Sequence, residues 1–228
     1  MGYSILLTDI DNTLLDFTAG SHAALQKTME SLGVAFTQER LHRYLAINGN
    51  LWEAFERGEI PKDAIYPTRF VRFFGELGVE IDPAAVNRRY MEGLRENIFF
   101  MPHCMEFLNA VKGKVKPYAV TNGDTLTQEV RLRNSGIGAY FDGVFISEQM
   151  GCKKPEKAFF DQVFAAIGAV DKKDCLLLGD SLTSDMQGGR NAGVDTCFLG
   201  KLESDPRCDY IVEDLLDVLP LLGIHQAR

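Results

Sequence analysis

Short apolar runs recur along the chain, and polar residues follow each of them. This pattern constrains the fold more than any other feature of the sequence. The first run precedes Asp9 and Asp11, a later one precedes Thr121, and another precedes Asp180. Short buried strands that alternate with amphipathic helical stretches are typical of parallel sheets. The pattern therefore predicts an α/β fold whose ligands bind beyond the carboxyl ends of the strands. The predicted strands cover residues 3–7, 117–120, 143–146, 175–178, 196–199 and 210–212.

The stretch from about residue 21 to about residue 97 has a different pattern, with no strand run and with helical periodicity. Turn residues such as Gly58 and Pro61 separate the stretches that have helical periodicity. We predict an all-helical cap at 18–97, inserted after the first strand, and a core at 1–17 and 98–228. Placed beside the first polar cluster, such an insert is suited to act as a lid. The predicted helices cover residues 22–32, 38–55, 62–77 and 83–94.

Charge and composition narrow the functional classes. The net charge of −8 argues against binding to nucleic-acid polymers or anionic membranes, because phosphate-rich surfaces repel an acidic protein. No apolar run approaches the ~18 residues of a membrane span, and the N-terminus does not resemble a signal peptide. The five cysteines lack the spacing of a zinc site or a disulfide framework. We expect a cytoplasmic protein of undetermined oligomeric state.

The first polar cluster is Asp9-x-Asp11, at the predicted end of the first strand. A carboxylate can attack phosphorus as a covalent nucleophile, and a second carboxylic acid can protonate the leaving oxygen and later activate water. The pair suits these two jobs, with Asp9 as nucleophile and Asp11 as acid and base. Alternatively, the two acids only cap a loop or a helix.

The second cluster is Thr121-Asn122-Gly123, which follows another predicted strand. A hydroxyl and exposed backbone N–H groups, with a glycine that permits close approach, can hold phosphoryl oxygens. The alternative is a plain helix start, since Thr125-x-x-Gln128 matches a capping box.

The third cluster contains Lys154, followed by Pro155, a residue suited to the first position of a helix. A cation just before a helix N-terminus is locally unfavourable, so it makes sense if Lys154 faces an anion. The alternative is a solvated basic pair formed by Lys153 and Lys154.

The fourth cluster runs from Gly179 to Asp185. Asp180, at a strand end, is predicted to bind a hard cation through oxygen. Asp185 is predicted to orient Lys154 or a bound water. Against a functional role for Asp185, Ser184-x-x-Gln187 matches a capping box.

Together the clusters describe one site. Carboxylates gathered at one sheet edge repel each other and need a cation, and Mg²⁺ can bridge Asp9, Asp180 and a substrate phosphate while water and a backbone carbonyl complete its shell. Lys154 and the Thr121 hydroxyl would then neutralise the remaining phosphoryl oxygens. The sequence therefore predicts a phosphoryl-transfer site.

These motifs closely resemble those of the haloacid dehalogenase-like (HAD) superfamily. The resemblance implies a Rossmann-like core with a helical cap, and an aspartyl-phosphate intermediate on Asp9. It also implies Mg²⁺ held by Asp9, Asp180 and the backbone carbonyl of Asp11. The four motifs, in chain order, are Asp9-x-Asp11-x-Thr13, Thr121, Lys154-Pro155 and Gly179-Asp180-x-x-x-x-Asp185.

Within the superfamily the chain looks most like the pyrimidine 5′-nucleotidases, including those that act on noncanonical nucleotides. The expected substrate is a small phosphate ester, a nucleoside 5′-monophosphate with a pyrimidine preferred. Asn48, Trp52 and Asn122 are the predicted substrate-binding residues; Trp52 can stack on a base, and Asn48 can bond a base edge. Packing and surface roles for Trp52 and Asn48 stay open.

Other activities use the same motifs. A dehalogenase expels halide without a proton, so the presence of Asp11 counts against it. A sugar-phosphate phosphatase and a phosphomutase cannot be separated from a nucleotidase by these clusters. A non-catalytic sensor of phosphorylated metabolites is disfavoured because every catalytic position is filled.

Overall fold

A computed structural model of the protein describes residues 2–168 and 170–225. Within them a six-stranded, wholly parallel sheet has the order β3-β2-β1-β4-β5-β6. This order is that of doubly wound Rossmann-type sheets, so the predicted α/β fold is confirmed. The strands are β1 (Ile5–Thr8), β2 (Lys116–Thr121), β3 (Gly143–Ile146), β4 (Cys175–Gly179), β5 (Asp195–Leu199) and β6 (Tyr210–Val212).

The chain divides into two compact units. The first, called the sheet unit here, comprises Met1–Asp16 and Phe100–Arg228, and the second, the helical unit, comprises Phe17–Phe99. All-helical structure in the second unit was predicted from its 3.6-residue periodicity. Its helices are α1 (Phe17–Ser31), α2 (Gln38–Glu56), α3 (Lys62–Glu76) and α4 (Pro83–Glu96).

Helices in the sheet unit follow its strands in sequence and help to bury the sheet. Phe159 and Phe160 pack in one cluster with Ile5 and Leu7 of β1 and Leu177 of β4. Burial of this kind explains why the strand sequences are continuously apolar. These helices are α5 (Cys104–Val111), α6 (Thr125–Ser135), α7 (Ser147–Met150), α8 (Lys157–Ile167) and α9 (Gln187–Ala192). Within residues 2–168 and 170–225, no helix combines the length and the apolar character that a membrane crossing requires.

The helix start predicted at Pro155 is wrong. Helix α8 begins at Lys157, with Glu156 in the N-cap position, and the Lys154–Pro155 peptide bond is cis. The backbone N–H of Glu156 donates to the carbonyl oxygen of Lys153 at 2.7 Å, so these residues form a turn before the helix. Lys154 is therefore held by a loop and not by a helix terminus.

Neither capping box forms, because an earlier residue occupies each cap position. The Asp124 side chain accepts a hydrogen bond from the N–H of Thr127 at the start of α6. The Ser181 side chain accepts one from the N–H of Ser184, at the start of the π-helical turn Leu182–Met186 that precedes α9. The side chain of Gln128 therefore does not cap the start of α6, and its hydrogen-bond partners lie in the candidate site.

Candidate active site

The candidate site lies where the strand order reverses, between β1 and β4. The loops that follow β1, β2 and β4 carry Asp9, Asn122 and Asp180. The backbone N–H of Asp9 donates to the carbonyl oxygen of Leu178 in β4, at 2.9 Å, which fixes Asp9 to the neighbouring strand. Polar residues therefore meet at the crevice where ligands of doubly wound sheets bind.

The loop after β1 turns sharply. The N–H groups of Leu14 and Leu15 both donate to the carbonyl oxygen of Ile10, at 2.9 Å. Asn12 has a φ of 54°, in the left-handed region that asparagine tolerates better than most residues. Because the chain leaves strand geometry here, the side chains of Asp9 and Asp11 need not point to opposite faces of the sheet.

Lys154 is the buried centre of the site. Its side chain is 1% exposed, and its Nζ lies 2.6 Å from Oδ1 of Asp9 and 2.7 Å from Oδ1 of Asp185. The structure thus brings together three residues that the sequence analysis placed in three separate motifs. Lys154 is not the solvated surface lysine of the alternative interpretation.

Asn122 holds the backbone of Lys154. Its Nδ2 donates to the carbonyl oxygen of Lys154 at 2.9 Å, and its Oδ1 accepts from the Lys154 N–H at 3.0 Å. The amide is buried, so both contacts are made away from solvent. This geometry makes Asn122 a positioning residue for Lys154, while direct contact with a substrate remains a prediction.

Asp185 is held against the end of β4. Its Oδ2 accepts from the N–H of Ser181 at 3.1 Å, while its Oδ1 faces Lys154. A Cβ added at Gly179 would lie 2.3 Å from the Asp185 carboxyl group. Glycine at position 179 is therefore required for the close approach of this carboxylate to the strand.

The electrostatics of the site reflect burial and crowding. Burial raises the pKa of Asp9 to about 7, with a further rise from the Asp185 carboxylate, against the opposing effect of Lys154. Burial and the Asp9 carboxylate raise the pKa of Asp180 well above its usual range. Burial lowers the pKa of Lys154, but the carboxylates of Asp185 and Asp9 more than offset this, so the ammonium stays charged.

The donor set fits a divalent cation. Ligand oxygens of Asp9, Asp180 and Asp185 lie within 4.8 Å of one another. Three carboxylates and the single ammonium of Lys154 leave a charge of −2 when all are ionised, which a divalent cation neutralises. Oxygen ligands of this kind suit Mg²⁺. The pKa values of Asp9 and Asp180 are raised first by burial and then by neighbouring carboxylates, and a bound cation would favour the ionised forms.

Asp11 contacts two residues of α6 that the sequence analysis did not identify as functional. Its Oδ1 accepts from Nη1 of Arg131, and its Oδ2 accepts from Nε2 of Gln128 at 2.9 Å. Gln128 had been considered only as part of a capping box. Gln128 and Arg131 are three residues apart on a helix that follows the Thr121 cluster, so they share a helix face. This spacing was the sequence signal that could have indicated a joint role near the site.

Thr121 lies at the end of β2 and is 1% exposed. Its Oγ1 accepts from the N–H of Gly123 at 3.0 Å and from Nε2 of Gln128 at 2.9 Å. Both contacts use the hydroxyl oxygen as an acceptor, so the hydroxyl can still donate one hydrogen bond.

Asn48 and Trp52 both lie on α2 of the helical unit. Asn48 is buried, and its Oδ1 accepts from Nη1 of Arg69 at 3.1 Å. Trp52 is partly buried against the core of that unit, with Nζ of Lys62 5.7 Å from its ring centroid. These contacts give both residues structural roles, and their binding of substrate remains a prediction.

Comparison with known proteins agrees with this geometry. The family model of haloacid dehalogenase-like hydrolases matches residues 3–193. The chain belongs to this family. The predicted resemblance is thus confirmed.

The hydrolase is also closely related to two pyrimidine 5′-nucleotidases. It is 37% identical to PynA of Streptococcus pneumoniae over 227 residues, 96% of each chain. It is 35% identical to YjjG of Escherichia coli over 199 residues, 87% of each chain.

A solved structure extends the comparison. The HAD-hydrolase YfnB of Bacillus subtilis is 37% identical over 197 residues, which cover 86% of this chain and 84% of YfnB. The crystal structure of YfnB bound to magnesium, described as revealing interdomain movement, matches the HAD hydrolase with a TM-score of 0.93 at 34% identity. That match covers 98% of this chain and 100% of YfnB.

Proposed function

We propose that this hydrolase is a Mg²⁺-dependent phosphatase that cleaves a nucleoside 5′-monophosphate, with a pyrimidine base preferred, through an aspartyl phosphate on Asp9. The observation that carries the proposal is the buried cluster in which Lys154 contacts both Asp9 and Asp185, with Asp180 beside them. A cluster of this composition provides a nucleophile, a fixed cation and metal ligands in one place.

In the first step an oxygen of Asp9 attacks phosphorus, and the bond from phosphorus to the ester oxygen breaks. Asp11 gives its proton to that leaving oxygen, which departs as the nucleoside hydroxyl. The ammonium of Lys154 and the hydroxyl of Thr121 stabilise the negative charge on the phosphoryl oxygens. Lys154 and Thr121 are each fixed by the contacts described above, so little reorganisation of these two donors is needed.

In the second step Asp11, now ionised, takes a proton from water while the water oxygen bonds to phosphorus. The bond between phosphorus and the Asp9 oxygen breaks, which releases inorganic phosphate and restores the carboxylate of Asp9. Asp11 therefore acts as acid and then as base within one turnover.

Asp9, Asp180 and the backbone carbonyl of Asp11 would hold Mg²⁺, and Asp185 would support the site through Lys154 and the Ser181 N–H. When bound, Mg²⁺ would offset the charge of the carboxylates and the phosphate. The crystal structure of YfnB with magnesium supports this assignment.

The nucleotide substrate rests on kinship with PynA and YjjG, both pyrimidine 5′-nucleotidases. Sugar phosphates are the main alternative, since a relative that matches about half of this chain is an N-acylneuraminate-9-phosphatase. A phosphomutase would share the first step and return the phosphoryl group to a sugar.

A phosphate-release screen tests the proposal. The purified chain is assayed on nucleoside monophosphates and sugar phosphates, with Mg²⁺ or with EDTA. We expect phosphate release that requires Mg²⁺ and is fastest with pyrimidine monophosphates. Fastest release from sugar phosphates would overturn the substrate assignment, and an isomerised sugar phosphate without free phosphate would overturn the hydrolase assignment.

A further inference from the structure

Two side chains of α6 donate hydrogen bonds to the carboxylate of Asp11. Nη1 of Arg131 donates to Oδ1, and Nε2 of Gln128 donates to Oδ2 at 2.9 Å. Each carboxylate oxygen thus has its own donor, and the partners are 117 and 120 residues away in sequence. An arrangement of this kind fixes both the position and the rotation of the carboxylate.

The orientation of the Gln128 amide is set by Arg131. Nη1 of Arg131 also donates to Oε1 of Gln128, at 3.1 Å. A guanidinium has only donors, so the amide oxygen must face it and the amide nitrogen must face away. That nitrogen then donates to both Asp11 and Thr121. Arg131 therefore aligns the acid–base residue and the phosphate-facing hydroxyl through one amide.

Both side chains that contact Asp11 are buried. Arg131 and Gln128 are each 1% exposed. Nε and Nη2 of Arg131 are buried without a hydrogen-bond partner among residues 2–168 and 170–225. Burying a charged group with unsatisfied donors costs free energy, so each such group calls for an explanation, and a functional role is one.

Gly123 makes room for the arrangement. A Cβ at this position would lie 2.6 Å from Nε2 of Gln128 and 2.7 Å from its Cγ. The glycine was predicted to let a phosphate approach the backbone. In the structure it also admits the Gln128 side chain that reaches Asp11 and Thr121.

We infer that Arg131 and Gln128 are positioning residues that hold the carboxylate of Asp11 in place for the water-activating step. The inference rests on the proposed function, since it assigns a step to Asp11. With an ester whose leaving group departs without an acid, hydrolysis of the aspartyl phosphate should therefore depend on Arg131 more strongly than its formation does.

The two steps can be separated with p-nitrophenyl phosphate, because p-nitrophenolate leaves without the help of an acid. Pre-steady-state release of p-nitrophenolate is measured for the wild type, Arg131→Met and Gln128→Leu, with Mg²⁺ present. In Arg131→Met we expect kcat to fall about 10- to 100-fold, less than the roughly 100- to 10,000-fold for complete loss of acid–base catalysis, because Asp11 itself is kept. We also expect a burst that approaches one p-nitrophenolate per enzyme, since the intermediate accumulates.

Gln128→Leu keeps the ion pair between Arg131 and Asp11, so its burst should be smaller than that of Arg131→Met but larger than that of the wild type. This variant preserves the test if Arg131→Met does not fold. Arg131→Lys keeps the charge and should recover part of kcat. Arg133→Met, an exposed arginine on the same helix, is the matched control and should behave as the wild type. Thermal unfolding of every variant separates a loss of fold from a loss of positioning.

The outcomes distinguish this inference from the proposed function. If folded Arg131→Met and Gln128→Leu have the wild-type kcat and burst, the inference fails while the phosphatase assignment stands. If kcat falls without a larger burst, the role is structural and the inference also fails. If the wild type releases phosphate from no ester in Mg²⁺, the proposed function fails, and this inference fails with it.

Discussion

The sheet unit and the helical unit each bury a cationic side chain almost completely, but they surround it differently. Lys154 in the sheet unit is 1% exposed and contacts the carboxylates of Asp9 and Asp185. Arg69 in the helical unit is 2% exposed, and its hydrogen-bond acceptors are the amide oxygens of Asn48 and Asn87 and the sulfur of Met91.

Aromatic rings complete the surroundings of Arg69. Its Cζ lies 4.7 Å from the ring centroid of Tyr90 and 5.0 Å from that of Phe70. Tyr44 packs against both rings, with centroid distances of 5.4 and 5.6 Å. Neutral amides and ring faces can hold a cation in one fixed place, whereas paired carboxylates also provide a nucleophile and metal ligands. The difference favours the sheet unit as the place of the proposed chemistry, while Arg69 organises the packing of the helical unit.

Replacement of Asp9 should have the largest effect on catalysis. Asp9→Asn keeps the shape of the side chain but removes the nucleophile, so kcat should fall by at least about 1,000-fold. The variant should keep its far-UV circular dichroism spectrum. Appreciable phosphate release by the folded variant would show that the buried acid has a structural role only.

Replacement of Lys154 should have the next largest effect. Lys154→Met removes the cation that is proposed to stabilise the transferring phosphoryl group, which should cost roughly 3 kcal/mol of transition-state stabilisation, as for loss of one oxyanion donor. The neighbouring Lys153→Met is the matched control and should change kcat little. Equal rates for both variants in a phosphate-release assay would contradict the special position of Lys154.

The sheet unit should also show a pH dependence of stability that arises from its crowded acids. Because the pKa of Asp9 is about 7 in the folded protein, above its ordinary 3.8, the folded state keeps a proton that the unfolded state releases. In EDTA, stability should therefore fall as the pH rises from about 4 to about 7. Thermal unfolding across this range measures the effect.

Two comparisons sharpen that test. Asp9→Asn should reduce the slope, and Mg²⁺ should raise the melting temperature most above pH 7, where the carboxylates are ionised. An unchanged slope in Asp9→Asn would show that other groups control the pH dependence.

Replacement of Arg69 should have the smallest effect on catalysis. Arg69→Met removes hydrogen bonds and cation–π contacts in the helical unit and should lower the free energy of unfolding by about 2 kcal/mol. In contrast, kcat should stay within about threefold of the wild type, because no chemical step is assigned to Arg69. Urea unfolding and steady-state kinetics on the same preparation check both values. A large loss of kcat at unchanged stability would remove the distinction between the two units.

The sequence allowed the sheet and much of the site to be predicted, because both depend on local pattern. Asp9 and Asp180 directly follow apolar runs, and parallel strands end at a common edge. The pairing of Asp11 with Arg131 could not be deduced in this way, since 120 residues separate them and only the tertiary fold brings them together. The helix start predicted at Pro155 failed because a turn, and not a helix, follows Lys154.

The most direct test of the account is to trap the covalent intermediate. The enzyme is mixed with substrate and Mg²⁺, quenched, reduced with borohydride and digested for peptide mass spectrometry. Borohydride reduces an acyl phosphate to an alcohol, so an aspartyl phosphate at residue 9 should appear as homoserine there and be absent from Asp9→Asn. Unmodified Asp9 in an enzyme that is turning over, with the label on another residue, would contradict the claim that Asp9 is the nucleophile.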